Sequence, residues 1–218
     1  ETFTYFRERV LAFCARLKEE GIKVSWTCNA RVDTVDPELV AVMRDAGCWR
    51  LQFGAESGVQ KQLDTLGKGV TPDDIRSAVE VTKAAGLDVF ASFILGIPGE
   101  TYEEGLRTIR FAKSLKLDYC NFLNFMPLVG TPFWEELEQH GTLTGPTAFH
   151  LMSFVPHSMT REQLADLMAR GPKEFYFRPR YLVERFLAQR SLEDVKRNVR
   201  GFFAFIGSDA RKDYLDVS

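Results

Sequence analysis

The sequence predicts an α/β fold, namely part of a TIM-type (β/α) barrel with parallel strands, followed by a C-terminal helical extension. Strand-like and helix-like segments alternate over the first 126 residues with short links, which favours right-handed parallel βαβ units. Each strand-like segment has one apolar and one polar face, and crossover helices normally cover the apolar face of such a sheet. The polar face indicates a sheet that curves around a polar ligand; a truncated sheet whose polar face meets solvent is the alternative.

Capping residues, prolines and glycines mark the limits of these elements. Thr and Asp accept hydrogen bonds from the first free N–H groups of a helix, Pro fits its first turn, and Gly ends it. In order along the chain, the pattern predicts a helix from a Thr4 cap to Gly21, a strand over 23–29, a helix from Pro37 to Gly47, a strand over 48–56, a short helical turn over 59–66, a helix from a Thr71 cap to Gly86, a strand over 87–96, a helix over 101–117 and a strand over 118–126.

After residue 126 the alternation of strands and helices stops. A turn-rich loop is predicted over 127–132, a short helix over 133–139 and an irregular connection over 141–157. Three helical stretches follow, at 160–168, 179–189 and 192–206. The sequence therefore predicts two domains: residues 1–140 form the C-terminal part of a barrel, and residues 141–218 form the helical extension.

Composition excludes several classes of protein. With 45% hydrophobic and 27% charged residues the chain is not disordered, and its net charge of −2 creates no general attraction to nucleic acid. No apolar run approaches the ~18 residues that a membrane helix needs. The four cysteines (Cys14, Cys28, Cys48 and Cys120) have no short metal-ligand spacing, so we expect buried, reduced thiols. These features predict a cytoplasmic protein that binds neither nucleic acid nor membrane.

The first chemical motif is the strand end that runs from Ser92 to Glu100, Ser-Phe-Ile-Leu-Gly-Ile-Pro-Gly-Glu. Gly96 and Gly99 have no Cβ, so a flat ligand can approach the backbone closely. Glu100 would repel a phosphate, and a neutral or cationic ligand fits better. Alternatively, Glu100 only caps the following helix.

The second motif, Gly-Ala-Glu-Ser-Gly at 54–58, lies at the carboxyl end of the preceding strand, where ligands bind in α/β sheets. Glu56 is suited to a ribose diol or an ammonium group, and Arg31 to a carboxylate held by two hydrogen bonds. The alternatives are a salt bridge from Glu56 to Arg31 or Arg50, and a local one from Arg31 to Asp33. The set suits a zwitterionic, amino-acid-like nucleoside.

These motifs resemble those of the radical S-adenosylmethionine superfamily. Ser92-x-Ile94-x-Gly96-x-x-x-Glu100 is similar to the family's adenine-binding strand, with Ser92 in place of a glycine, and Gly54-Ala55-Glu56-Ser57 is similar to the strand end that contacts the ribose and methionine parts. Further similar segments lie at 1–4, 28–33, 67–71 and 127–132, so the resemblance covers roughly residues 1–140. The tail resembles the subgroup that carries an N-terminal cobalamin-binding domain.

The resemblance implies S-adenosylmethionine and a [4Fe–4S] cluster as cofactors and, for the subgroup, cobalamin. It implies that the cluster reduces S-adenosylmethionine to a 5′-deoxyadenosyl radical, or that the enzyme performs cobalamin-dependent methyl transfer. The expected partners are a small-molecule substrate and an electron donor such as flavodoxin or ferredoxin. The cofactor-binding residues that it implies are Arg31, Gly54, Glu56, Ser57, Ser92, Ile94, Gly96 and Glu100.

The sequence departs from the family in one respect: it contains no C-x-x-x-C-x-x-C loop, whose thiolates hold the cluster. In the family this loop lies upstream of the segment that matches Glu1. We therefore expect the chain to be a piece of a longer enzyme and to be inactive by itself. The alternatives are a non-catalytic half-barrel that serves as a binding module and a non-redox (β/α)-barrel lyase.

Overall fold

Strands and helices alternate as expected in the computed structural model, which describes residues 2–143, 154–179 and 181–183. The strands of the main sheet are β1 (Trp26–Ala30), β2 (Cys48–Glu56), β3 (Asp88–Leu95) and β4 (Tyr119–Asn124). The helices around them are α1 (Arg7–Glu19), α2 (Pro37–Asp45), α3 (Gln60–Thr65), α4 (Pro72–Ala84) and α5 (Tyr102–Ser114). Each of these elements lies where the sequence pattern predicts it, to within a few residues.

The four strands form one sheet in the order β1-β2-β3-β4. β1 pairs with β2 and β2 pairs with β3 in parallel, and Gly54 lies opposite Ser92 in the second pair. Sequential neighbours joined by helices are the βαβ arrangement that the short links predict. The carboxyl ends of β2 and β3, where the two chemical motifs lie, are therefore at the same edge of the sheet.

Helix starts follow the predicted capping residues in two of three cases. The Asp36 side chain accepts a hydrogen bond from the Leu39 N–H at the start of α2, and Thr71 and Asp74 form a reciprocal capping box at the start of α4. The prediction that Thr4 caps the first helix is wrong, because α1 begins at Arg7 after an uncapped Phe6. Thr4 is buried and its hydroxyl bonds to other parts of the chain.

The two faces of the sheet differ as the alternation predicts. On β2, Leu51, Phe53 and Ala55 are buried and the residues between them are only half-buried. β3 repeats this pattern along its whole length. Trp49 is an exception: it is 43% exposed because the pairing shifts there by one residue, so that Cys48 becomes buried instead.

Beyond β4 the structure differs from the sequence prediction in two places. The predicted irregular connection over 141–157 contains an antiparallel pair, β5 (Gly141–Leu143) with β6 (Phe154–Pro156), and pairing across so long a gap leaves no local sequence signal. α8 (Arg161–Tyr176) continues eight residues beyond the predicted end at 168, because its buried face continues to Phe175. The short helices α6 (Pro132–Glu135) and α7 (Leu137–His140) lie where one was predicted.

The chain divides into two compact units. One consists of the described residues up to Phe93 with Arg110–Asn121, and the other of Ile94–Ile109 with the described residues from Phe122 onward. The domain boundary after residue 140 stays a prediction. The predicted helices at 179–189 and 192–206 lie largely or wholly outside the described residues. Among the helices that are described, none combines the length and the apolar character needed to cross a bilayer.

Candidate functional site

Glu56 ends β2 in an unusual backbone conformation. Its φ is 62°, and it is the one residue other than glycine with a positive φ in the described part of the chain. The Ser57 N–H donates to the Ala55 carbonyl over 2.8 Å, so Glu56 occupies the centre of a three-residue γ-turn. Such a conformation costs about 1–3 kcal/mol in a residue that has a Cβ, and residues held this way concentrate at functional sites.

Gly54 leaves the space into which the Glu56 side chain folds. A Cβ at Gly54 would lie 2.5 Å from Oε1 of Glu56 and 3.4 Å from Nζ of Lys68. These distances show that the carboxylate and the ammonium group lie against the bare backbone of Gly54. The glycine of this motif therefore provides room for a charged pair.

Lys68 is a candidate site residue that sequence reasoning missed. Its Nζ lies 2.8 Å from Oε1 of Glu56, and both side chains are mostly shielded, with 27% and 14% of their surfaces exposed. The sequence prediction had offered Arg31 or Arg50 as the partner of Glu56. The available signal was Gly67-Lys68-Gly69, a cation between two glycines that follows the motif closely along the chain.

Arg31 forms the local ion pair that the sequence left open as an alternative. Its Nε and Nη2 donate to the two carboxylate oxygens of Asp33 over 2.9 and 2.8 Å, and Nη2 also donates to the Lys68 carbonyl over 3.0 Å. The guanidinium holds the pKa of Asp33 below its ordinary value, and the same hydrogen bonds raise the pKa of Arg31. A direct contact from Arg31 to a ligand carboxylate stays a prediction.

The backbone of Arg31 is held as firmly as its side chain. The Arg31 N–H donates to the Thr4 hydroxyl over 3.2 Å, and the Thr34 hydroxyl donates to the Arg31 carbonyl over 2.9 Å. The two hydroxyl oxygens lie 2.6 Å apart. Thr4 is 1% exposed, so these bonds are shielded from water.

The two serines of the predicted site lie in different surroundings. Ser57 is fully buried, and its hydroxyl accepts a hydrogen bond from the Val59 N–H over 3.1 Å, which stabilises the chain after the γ-turn. Ser92 is half-buried on the polar face of β3, directly across from Gly54. Ser57 therefore stabilises the backbone of the 54–58 motif from a buried position, whereas Ser92 lies on the face expected to meet a ligand.

Glu100 closes the loop that follows β3. Its Oε2 accepts hydrogen bonds from the N–H groups of Gly96 and Ile97 over 2.6 and 3.3 Å, and the residue is fully buried. The helix-cap alternative applies to its neighbours, because Thr101 and Glu104 exchange the capping bonds at the start of α5. Glu100 therefore shapes the loop through its backbone.

Gly96 is required in this loop for its backbone and for its size. Its φ is 78°, and a Cβ there would lie 2.9 Å from Oδ1 of Asn124 and 3.1 Å from a methyl group of Leu164. Ile94, two residues earlier, is half-buried on the polar face of β3. The loop thus presents bare backbone next to one apolar side chain.

Residues that follow or end β4 form hydrogen bonds that stabilise the loop after β3. The Asn124 amide donates to the Phe154 carbonyl over 3.1 Å, and the Ser158 hydroxyl donates to the Glu100 carbonyl over 2.5 Å. Both contacts lie within the second unit. The chain beyond residue 140 is therefore part of what holds the Ser92–Glu100 motif in place.

S-Adenosylmethionine and the [4Fe–4S] cluster, which the resemblance implies, fit the described residues differently. In the first unit, the paired charges at Glu56 and Lys68 fit the amino-acid part of S-adenosylmethionine. In the second unit, taken by itself, the bare backbone at Gly96 fits a flat base. Of the free cysteines, Cys14, Cys48 and Cys120 are buried, and Cys28 donates its S–H to Cys48, which with burial raises its pKa. No group of three or more ligating side chains in the described ranges is arranged to hold a metal ion, so these residues do not fit an iron–sulfur cluster.

Comparison with known sequences gives a consistent result. Residues 1–112 match the sequence profile of the radical SAM superfamily. A Pyrococcus horikoshii protein named as an uncharacterised methyltransferase is 34% identical over 205 residues, which cover 92% of this chain and 44% of that protein. The anaerobic magnesium-protoporphyrin IX monomethyl ester cyclase of Cereibacter sphaeroides is 28% identical over 80% of this chain and 30% of its own length. The chain thus spans less than half of these relatives.

Solved structures show the same fold. The cobalamin-dependent S-adenosylmethionine radical enzyme OxsB, with aqua-cobalamin bound, aligns with a TM-score of 0.63 at 14% identity over 92% of this chain and 36% of that one. Coproporphyrinogen III oxidase from Escherichia coli, described as a radical SAM enzyme, aligns with a TM-score of 0.53 at 13% identity over 77% and 44%. These alignments confirm the predicted partial (β/α) barrel. With more than half of its length matching the family profile, the chain belongs to the radical SAM superfamily.

Proposed function

We propose that this chain binds S-adenosylmethionine within a longer radical SAM enzyme, and that the enzyme transfers a methyl group to a small-molecule substrate with the help of cobalamin. The Glu56–Lys68 pair over Gly54 is the observation that carries the proposal. The methyltransferase name of the Pyrococcus horikoshii relative and the cobalamin named with OxsB support this outcome over radical hydrogen abstraction.

The charged pair is complementary to the amino-acid part of the cofactor. S-Adenosylmethionine carries an α-carboxylate and an α-ammonium group, and a lysine and a glutamate 2.8 Å apart offer one partner to each. Binding would replace one ion pair by two and would keep every charge compensated, which matters in a shielded site. The oxygens of Glu56 can also accept hydrogen bonds from the ribose hydroxyls.

The loop after β3 is suited to the adenine. A flat base needs a surface without Cβ atoms and backbone groups for its edge, and Gly96 supplies the first. Glu100 keeps this surface in one shape, because its carboxylate is bonded to the N–H groups of Gly96 and Ile97. Ser92 and Ile94 lie on the polar face of the same strand.

Within such an enzyme, this chain would bind S-adenosylmethionine and orient it. In the family a [4Fe–4S] cluster supplies the electron that cleaves S-adenosylmethionine. The proposal includes flavodoxin or ferredoxin as the donor that reduces this cluster. Within the first unit, the fixed positions of Glu56 and Lys68 would lower the entropic cost of orienting the amino-acid part of the cofactor.

Calorimetric titration of the 218-residue chain with S-adenosylmethionine tests the proposal. Glu56→Gln should weaken binding about tenfold, since it removes one charge-assisted contact. Glu38→Gln is the matched control, because Glu38 pairs with Arg7 at a surface position where 78% of its side chain is exposed. If the wild-type chain does not bind, or if Glu56→Gln binds as tightly as Glu38→Gln, the proposed site is wrong.

A further inference from the structure

We propose that Arg31 is a positioning residue that acts through Lys68, holding its ammonium group in place, and that Arg31 does not itself contact the ligand. This inference rests on the proposed function, because it assigns a role within the same cofactor site. It concerns the series of contacts from Asp33 through Arg31 and Lys68 to Glu56, which we name the Arg31 brace.

The first step is the orientation of the guanidinium. The edge formed by Nε and Nη2 is the fork that grips carboxylates with two parallel bonds, and Asp33 occupies it with distances of 2.9 and 2.8 Å. Asp33 stays ionised because its pKa is lowered by this pair. The bidentate grip expected for a ligand carboxylate is thus already in use.

The second step is the contact from Arg31 to Lys68. Nη2 of Arg31 donates to the Lys68 carbonyl over 3.0 Å, and the Lys68 N–H donates to the Leu63 carbonyl over 3.1 Å. The backbone of Lys68 is therefore held from both sides. A lysine side chain has four rotatable bonds, so a fixed backbone is what keeps its Nζ within reach of Glu56.

The third step is the anchoring of Arg31. Thr4 binds its N–H and Thr34 binds its carbonyl, and Thr4 is almost completely buried. Arg31 is therefore positioned by the fold before any ligand arrives. A residue that is held at its backbone N–H and carbonyl, and whose side chain bonds to both Asp33 and the Lys68 carbonyl, is suited to keep Lys68 in position.

The experiment compares S-adenosylmethionine with its decarboxylated analogue, which lacks the group that Lys68 is proposed to bind. We measure the dissociation constants of both compounds for the 218-residue chain and for Arg31→Gln, Lys68→Met and the double variant. Arg44→Gln is the matched control, because Arg44 also bonds to a neighbouring aspartate, Asp45, and to a distant carbonyl, that of Ala85.

We expect the wild type and Arg44→Gln to prefer S-adenosylmethionine about tenfold over the analogue, the size of one charge-assisted contact. Lys68→Met should abolish this preference, Arg31→Gln should remove most of it, and the double variant should match Lys68→Met. If the loss of affinity for S-adenosylmethionine in the double variant equals the product of the two single losses, Arg31 contacts the ligand itself and the brace is wrong. Equal weakening of both compounds by Arg31→Gln would assign it a purely structural role, with the same consequence.

A second measurement needs no ligand and separates the brace from the proposed function. The rate at which acetic acid N-hydroxysuccinimide ester acylates Lys68 is followed by mass spectrometry of the Lys68 peptide. Arg31→Gln should accelerate this reaction several-fold because the ammonium is released from Glu56, and Arg44→Gln should leave it unchanged. An unchanged rate in Arg31→Gln refutes the brace even if binding is normal, whereas an accelerated rate without any binding refutes only the proposed function.

Discussion

The carboxyl ends of β2 and β3 carry the two candidate motifs, and the glutamates of the two motifs have different surroundings. At β2, Glu56 has a positive φ, and its carboxylate lies over Gly54 and pairs with the side chain of Lys68. At β3, Glu100 is fully buried and its carboxylate binds backbone N–H groups. The first arrangement keeps a charge available to exchange partners, and the second uses a charge to hold a loop in shape.

This difference predicts where substitutions act. The Glu56–Lys68 pair is mostly shielded, and the cost of removing its charges from water offsets much of their attraction, so we expect it to contribute about 0–1 kcal/mol to stability. Buried N–H groups that lose their acceptor cost about 1–3 kcal/mol each. Changes at the end of β2 should therefore alter binding more than folding, and changes at the end of β3 should do the reverse.

The largest expected effect on folding is that of Glu100→Ala. It leaves the buried N–H groups of Gly96 and Ile97 without their acceptor, and we expect the free energy of unfolding to fall by about 4 kcal/mol. Glu104→Ala is the control, since Glu104 accepts from the Thr101 N–H at a helix start and its loss should cost about 1 kcal/mol. Urea denaturation measures both, and equal losses would contradict the distinction between the two glutamates.

The next prediction compares two glycines in the loop after β3, of which only one is closely packed by other side chains. Gly96 and Gly99 have φ values of 78° and 74°, but a Cβ would meet Asn124 and Leu164 only at Gly96. Gly99→Ala should cost about 1 kcal/mol from the backbone alone. Gly96→Ala should cost about 2–3 kcal/mol, because overpacking adds to the same strain. Thermal or urea unfolding of the two variants shows whether the tight packing described for Gly96 exists.

At the end of β2 the sign of the stability change should reverse. Glu56→Gly removes the Cβ that makes a positive φ costly, and we expect the free energy of unfolding to rise by about 1 kcal/mol while S-adenosylmethionine binding weakens. Glu56→Gln keeps the Cβ and should weaken binding without stabilising the chain. A destabilised Glu56→Gly variant would show that the γ-turn is not strained.

The smallest effect concerns the pH dependence of the charges near β2. The pKa of Asp33 is lowered from its ordinary value of 3.8 by the Arg31 guanidinium, so the pair stabilises the folded state above that value and this contribution is lost as the pH falls through the lower, folded pKa. The stability difference between the wild type and Asp33→Asn should be constant from about pH 5 to 8 and shrink below about pH 4. Urea midpoints measured across this range test it, and a difference that shrinks near neutral pH would exclude Asp33 as its source.

Features defined by neighbours along the chain were predictable from the sequence, and those defined by contacts across it were not. Asp36 and Thr71 mark helix starts through local hydrogen bonds, and β2 has the limits that its alternation predicts. The Glu56–Lys68 pair depends on how the loop after α3 returns to the sheet, which no periodic pattern encodes. The buried role of Glu100 was missed for the same reason, since an acidic residue before a helix also reads as a cap.

One extra residue, Trp49, lies at the amino end of β2, where the pairing with β1 shifts. It lies seven positions before Glu56, about 23 Å along an extended strand, so a change in pairing there is remote from the turn that orients the carboxylate. Deleting Trp49 would restore strict alternation at the amino end of β2 with Cys48 still on the buried face, and it would leave the spacing from Leu51 to Glu56 intact. We therefore expect an insertion or deletion of one residue at the amino end of β2 to leave the conformation of Glu56 at its carboxyl end unchanged.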